Sequence, residues 1–171
     1  MLRFKNVSAK TNRGLLRRVG CAMFLGTIFF PGLSQAGNSF SGNLSLNQAR
    51  NLAQVAENRA ASNHTAIVVT VVDASGQILL TERMPGAQLA SLELSERKAI
   101  SAIFYKRPSS AFETALAGGK MAVLALPHAM PAGGGVPIFR DGQLTGAIGV
   151  SGGNNTQDSD AANTAVNALK W

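Results

Sequence analysis

The chain has 171 residues, with 16 Lys+Arg against 9 Asp+Glu and a formal net charge of +7, which sets its pI near 10.3. Six of the bases (Arg3, Lys5, Lys10, Arg13, Arg17 and Arg18) precede residue 19, and the other ten face all nine acids. The remainder of the chain is therefore close to neutral. It has no surplus of base to neutralise phosphates, and nucleic acid is excluded as an expected partner.

After Arg17-Arg18 the chain runs uncharged from Val19 to Leu33 and is broken by Pro31-Gly32; Ser34-Gln35-Ala36 then offers small residues where a signal peptidase reads. A membrane-spanning helix needs about 20 apolar residues, more than this run supplies. Residues 1–36 are accordingly expected to be a signal peptide, exported by the general or the twin-arginine route. Cleavage would leave a periplasmic or secreted protein that begins at Gly37 and has no stable membrane insertion. Residues 37–43 read as a short linker and 44–171 as one domain. The single cysteine, Cys21, lies in the leader. The mature domain therefore has no disulfide, thiolate nucleophile or cysteine metal ligand, and must stand on its apolar core.

Leu44-Ser45-Leu46-Asn47-Gln48-Ala49 opens the first helix. Ser45 and Gln48 form a capping-box pair, and Leu44 can staple onto Ala49. Leu46, Ala49, Ala53, Ala56 and Ala60 recur at three- and four-residue spacing and make one narrow apolar face to about residue 61. The β-branched run Ala66–Val72 predicts a buried central strand. Asp73-Ala74-Ser75-Gly76 is turn chemistry, so Gln77–Arg83 returns as a hairpin arm until Met84-Pro85-Gly86-Ala87 breaks it.

A second helix is expected from about Leu89 to Tyr105, with Leu92, Ala99, Ala102 and Ile103 as its core stripe, ending before Pro108. Ser110-Ala111-Phe112-Glu113 repeats the capping-box pattern for a short helix that stops at Gly118-Gly119. Val123–Leu126 reads as a short strand, Pro127–Gly135 as a loop, and Val136–Phe139 as a strand. Asp141-Gly142 is a two-residue hairpin turn into a last strand, Leu144–Ser151, in which Gly146 and Gly149 mark close approach to the backbone. Asp158 and Asp160 suit the start of a final helix. The sum is an α+β fold: a five-stranded, mainly antiparallel sheet flanked by helices in three layers, of profilin or PAS type.

Several patterns carry candidate chemistry. Gly149-Val150-Ser151-Gly152-Gly153 matches a nucleophile elbow, but that motif needs a strand-to-helix turn and a later histidine, and both histidines precede it. Gly133-Gly134-Gly135 lacks the Lys and Ser/Thr of a phosphate loop, though its backbone N–H groups could meet an anion. Glu93 and Glu96 could share a cation, whereas Glu93 and Arg97 at i, i+4 more simply form an ion pair. His64 and His128 are the only imidazoles; His128 stands in the stiff segment Pro127-His128-Ala129-Met130-Pro131, beside a thioether. Lys98, Ser101 and Tyr105 share one helical stripe that could line a pocket for an anionic ligand.

The order Val71-Val72-Asp73-Ala74-Ser75-Gly76, Glu82-Arg83-Met84-Pro85-Gly86-Ala87, Lys98-Ala99, Gly134-Gly135-Val136-Pro137-Ile138 and Gly146–Gly152 with Gln157-Asp158 resembles the GlcG/HbpS-like haem-binding family from about Leu44 to Leu169. Pro85 replaces the acidic residue usual after Arg-Met, and Ser101 stands where threonine is frequent. The resemblance implies a five-stranded antiparallel sheet, frequent homo-oligomers and extracellular haem binders linked to redox sensing. It also implies relatives fused to cobalamin-handling enzymes or encoded with glycolate oxidation.

An exported protein that binds haem, or a similar planar anionic ligand, is therefore expected, with a link to redox or haem sensing through a sensor protein. The alternatives are a ligand-free interaction module, and an accessory protein or enzyme for small oxo-acids. Binding is favoured over catalysis, since no nucleophile with its base stands out. For haem, His128 is the expected iron ligand in preference to His64. Lys98 and Arg83 are expected at the propionates, with Tyr105, Ser101 and Met130 as reserve ligands.

Overall fold

The computed structural model describes residues 43–171; the expected signal peptide, its expected cleavage site and nearly all of the expected linker lie outside them. Within them the chain folds as α1 (Leu46–Ser62), β1 (Val68–Asp73), β2 (Ile78–Arg83), α2 (Ala90–Tyr105), α3 (Ser110–Ala117), a 3-10 turn (Met121–Ala125), β3 (Gly135–Arg140), β4 (Gln143–Ser151) and α4 (Asn155–Ala168). The strands form one open antiparallel sheet in the order β2-β1-β4-β3.

The β-branched run becomes β1, paired on both edges and covered by helices on both faces, which is why it is apolar apart from Thr70. Alternation then divides it. Val69 and Val71 turn with Ile148 and Val150 of β4 toward α1 and α4, while Val72 and Ala147 turn toward α2. α1 lies on the sheet through small residues, Ala49, Ala53, Ala56 and Ala60, with Leu52 filling the space between them. Ser45 and Gln48 close the expected capping box, and Leu44 is buried in the same core. Leu46 instead points outward.

α2 meets the opposite face through Ser91, Ser95, Ala99 and Ala102, all fully buried. Ser95 hydrogen-bonds Thr70 of β1 at 2.8 Å. Beneath that stripe is Gly149, where a side chain would collide with the backbone of Ser95 and Ala99. The glycine lets helix and sheet backbones approach more closely than any other residue would allow. Leu92, expected in the stripe, is exposed.

Both hairpins form as the turn chemistry requires. Asp73 Oδ1 accepts the N–H groups of Ser75 and Gln77, and Gly76 takes φ +79°. Asp141 and Gly142 both have positive φ, the geometry a two-residue turn needs to match strand twist.

Among the described residues the sheet has four strands, not five. Val123–Leu126 is not a strand: Met121–Ala125 winds as a 3-10 turn in which only Val123 is buried, and Leu124 and Leu126 remain outside. A four-residue apolar run does not by itself distinguish strand from helix. Here no strand edge receives it. α3 forms as expected, but its Ser110 and Glu113 do not make a capping box. Glu113 instead bonds Gly133 N–H at 2.9 Å and Asn155 Nδ2 at 2.8 Å, joining α3 to a loop and to α4. The last helix starts at Asn155, capped by Asn154 with Gln157.

Candidate functional site

The outer face of α2, the β1–β2 turn and the segment that follows the 3-10 turn enclose a cleft of about 550 Å³. The turn contributes Ser75, Gly76 and Gln77. α2 contributes Glu96, Arg97, Ile100 and Phe104, and the segment contributes Leu124, Leu126, His128 and Ala129. Phe104 is 56% exposed and Leu124 59%. Large apolar side chains so open to water, gathered around a concavity and rimmed by charge, characterise binding surfaces.

His128 stands in this cleft. Its backbone is left-handed, φ +60°, which costs a non-glycine residue about 1–3 kcal/mol and persists only where neighbours hold it. They do so here from both sides. Tyr105 donates its phenolic O–H to Pro127 O at 2.6 Å, and Met130 N–H donates to Ser101 Oγ at 3.1 Å. The imidazole lies over Phe104, with ring centroids 4.3 Å apart and planes tilted by 33°. Arg97 reaches Glu93 at only 3.7 Å, both side chains being largely exposed. Such a surface pair contributes little and leaves the guanidinium free to meet a carboxylate.

The other candidates have different duties. Lys98 is 3% exposed and does not line the cleft. Its Nζ lies 2.7 Å from Asp158 Oδ2 and donates to Val150 O at 3.0 Å, pinning α2, β4 and α4 together, so it has no free charge for a propionate. The helical stripe of Lys98, Ser101 and Tyr105 thus points inward at Lys98, while the oxygens of Ser101 and Tyr105 hold the His128 segment.

Arg83 is on a separate cleft of about 480 Å³ between α1 and β2, and donates to Ala87 O at 2.8 Å. In that cleft burial, and secondarily the charge of Glu82, raise the pKa of Glu57. Met130 is half-buried beside the cleft segment. His64, exposed and also left-handed, terminates α1: its N–H bonds Ala61 O and that of Thr65 bonds Ala60 O. This is the ordinary helix ending that a left-handed residue completes, and it sets His64 on a third, polar cleft away from His128.

The glycine loop offers less to an anion than its sequence promises, since Gly133 N–H is taken by Glu113 and Gly135 N–H by Ser109 Oγ at 2.8 Å. Among the described residues no group of three or more His, Cys, Asp or Glu converges as a metal site.

Sequence reasoning missed Arg97 as a cleft residue, and it missed Ile100 and Phe104. The signal was present. Arg97, Ile100 and Phe104 form a second stripe at three- and four-residue spacing, beside the small-residue stripe that packs on the sheet.

Comparison with known proteins gives a consistent set of likenesses. A family model described as haem degrading protein HbpS-like matches residues 44–167. The chain is 36% identical over 131 residues to the corrinoid adenosyltransferase PduO of Citrobacter freundii, an alignment that covers 74% of this chain. It spans about two fifths (39%) of that relative's length. Among solved structures it is similar to the PduOC:heme complex, with 34% identity and a TM-score of 0.68, covering 75% of this chain and 96% of that one. It is also similar to HbpS, with 30% identity and a TM-score of 0.69, covering 75% and 92%.

Proposed function

The chain belongs to the HbpS-like family, and from that premise we propose that it is an exported haem-binding protein whose site is the His128 cleft. The observation that carries this reading is the composition of the cleft. One imidazole, one loosely paired guanidinium and an exposed apolar wall meet in about 550 Å³, within the range of about 300–1,000 Å³ usual for small-molecule sites. The family description and the haem complex of PduOC support the choice of ligand.

The residues fit such a group. Neutral imidazole is a common protein ligand for haem iron, so His128 would hold the metal. Phe104, Ile100, Leu124 and Leu126 would pack on the macrocycle and recover the burial they lack. Arg97 would exchange Glu93 for a propionate in a charge-assisted contact, stronger than a neutral hydrogen bond. Haem, once bound, supplies redox-active iron, and the protein's part is to exclude water from one face and fix its orientation.

Export rests on the leader, and self-association on the exposed apolar residues and the family resemblance; a link to a redox or haem sensor is part of the same proposal. Titration of the purified domain with haem should give a saturable Soret band at one haem per chain. Arg97→Ala should weaken binding about tenfold, as loss of a charge-assisted contact of about 1.5 kcal/mol would. A Soret change that never saturates, or an affinity unchanged from the parent in both Arg97→Ala and Phe104→Ala, would overturn the assignment. Mass spectrometry of exported protein should find Gly37 at the N-terminus. Light scattering at micromolar concentration should find more than one chain per particle.

A further inference from the structure

We propose that Tyr105 is a positioning residue for His128, acting through the backbone of Pro127, with Ser101 as a second anchor. The inference deepens the proposed haem site and rests on it only for the ligand-binding part of its test.

His128 and His64 have the same left-handed backbone but reach it by different means. His64 is held by the hydrogen bonds that end its own helix. His128 follows a 3-10 turn that has already ended: Leu126, the capping residue, is extended. Within the segment one turn bond, Ala129 N–H to Leu126 O at 3.2 Å, encloses Pro127 and His128 and supplies part of the restraint. The remaining restraint comes from α2, from residues one turn apart. Tyr105 binds the carbonyl just before His128, Ser101 binds the N–H two residues after it, and Phe104, between them in sequence, supplies the ring on which the imidazole rests.

Tyr105 is itself fixed. Its ring meets Phe112 edge-on at 4.7 Å, and Arg107 stacks over both rings, 5.5 Å from the Tyr105 centroid and 4.5 Å from that of Phe112. Phe112 is buried at the root of α3. A rigid path therefore runs from α3 through the Tyr105 hydroxyl to the backbone that aims the imidazole. A site is built this way when a side chain on an irregular segment must be held in one geometry.

Tyr105→Phe deletes only the hydroxyl and keeps the ring packing, so the domain should fold with an unchanged far-ultraviolet spectrum. The direct readout is the apo protein's His128 imidazole protons by nuclear magnetic resonance. In the parent chain Phe104 should shift them upfield from free histidine; Phe104→Leu should abolish that shift, and Tyr105→Phe should reduce it by at least half. Ser101→Ala should act in the same direction.

In the haem titration, Tyr105→Phe should weaken binding about three- to tenfold, the effect of one net hydrogen bond, with the Soret maximum unmoved; His128→Ala should move the maximum. Imidazole protons that keep their full shift in Tyr105→Phe would overturn the positioning role whatever haem does. A Soret maximum unmoved in His128→Ala would overturn the ligand assignment, while the proton shifts would still decide the role of Tyr105.

Discussion

Replacing Lys98 with Met separates a structural cation from a ligand-binding one. The ammonium is 3% exposed, 2.7 Å from Asp158 Oδ2 and 3.0 Å from Val150 O. Methionine keeps most of the aliphatic stem and removes the charge. Asp158, 1% exposed, would retain only the N–H of Gly153 at 2.9 Å. Removing one member of a buried pair strands the other without water, at a cost of about 3–5 kcal/mol. For a domain of this length that lowers Tm by roughly 10–20 °C.

The assay is thermal and urea denaturation at neutral pH, followed by haem titration at a temperature where the variant is folded. The double variant Lys98→Met with Asp158→Leu should recover much of the loss, because an apolar pair strands no charge. Haem affinity of the folded variant should match the parent. A loss of stability under about 1 kcal/mol, or full stability with weakened haem binding, would refute this reasoning and return Lys98 to the ligand.

Burial, then the charge of Glu82, raises the pKa of Glu57 above its ordinary value of 4.5. The native state thus holds this proton more readily than the unfolded chain, and its stabilising effect at low pH is lost as pH climbs from that value through the raised one. Glu57→Gln should therefore raise Tm at pH 7, with the gain vanishing below about pH 4; a gain that persists in acid would contradict it. Gly149→Ala should destabilise by at least about 2 kcal/mol, since its Cβ meets helix backbone rather than a movable side chain. Urea denaturation measures that loss. Gly142→Ala, at φ +77° with open space around it, should cost only about 1 kcal/mol by the same method.

What was legible in the sequence was local. The Ser45–Gln48 box, the Asp73–Gly76 and Asp141-Gly142 turns and the β-branched run of β1 each contain their own physical cause within a few residues, and each appears where it was expected. Gly149 was also legible as a point of close approach, although its partners Ser95 and Ala99 were not. The failures are non-local. Lys98 and Asp158 are 60 residues apart, and nothing near either announces that they meet in the core. Val123–Leu126 required knowledge of which sheet edges were free, and the fifth strand was expected there.

For the site, His128 was singled out for its stiff surroundings and does stand in the cleft. Lys98 was expected at a propionate because its charge was read without its burial, and Arg83 because the sequence does not show that it faces a separate cleft. Tyr105 and Ser101 were placed near the ligand for their oxygens. Those oxygens instead bind the backbone on either side of His128.

The central claim is that haem occupies the cleft between α2 and the His128 segment. A crystal structure of the haem-loaded mature protein tests it most directly. The account predicts density for a macrocycle against Phe104, Ile100 and Leu126, with iron bonded to the His128 imidazole and a propionate at Arg97. Haem seated instead in the polar cleft at His64, or at the Arg83 cleft, would contradict it.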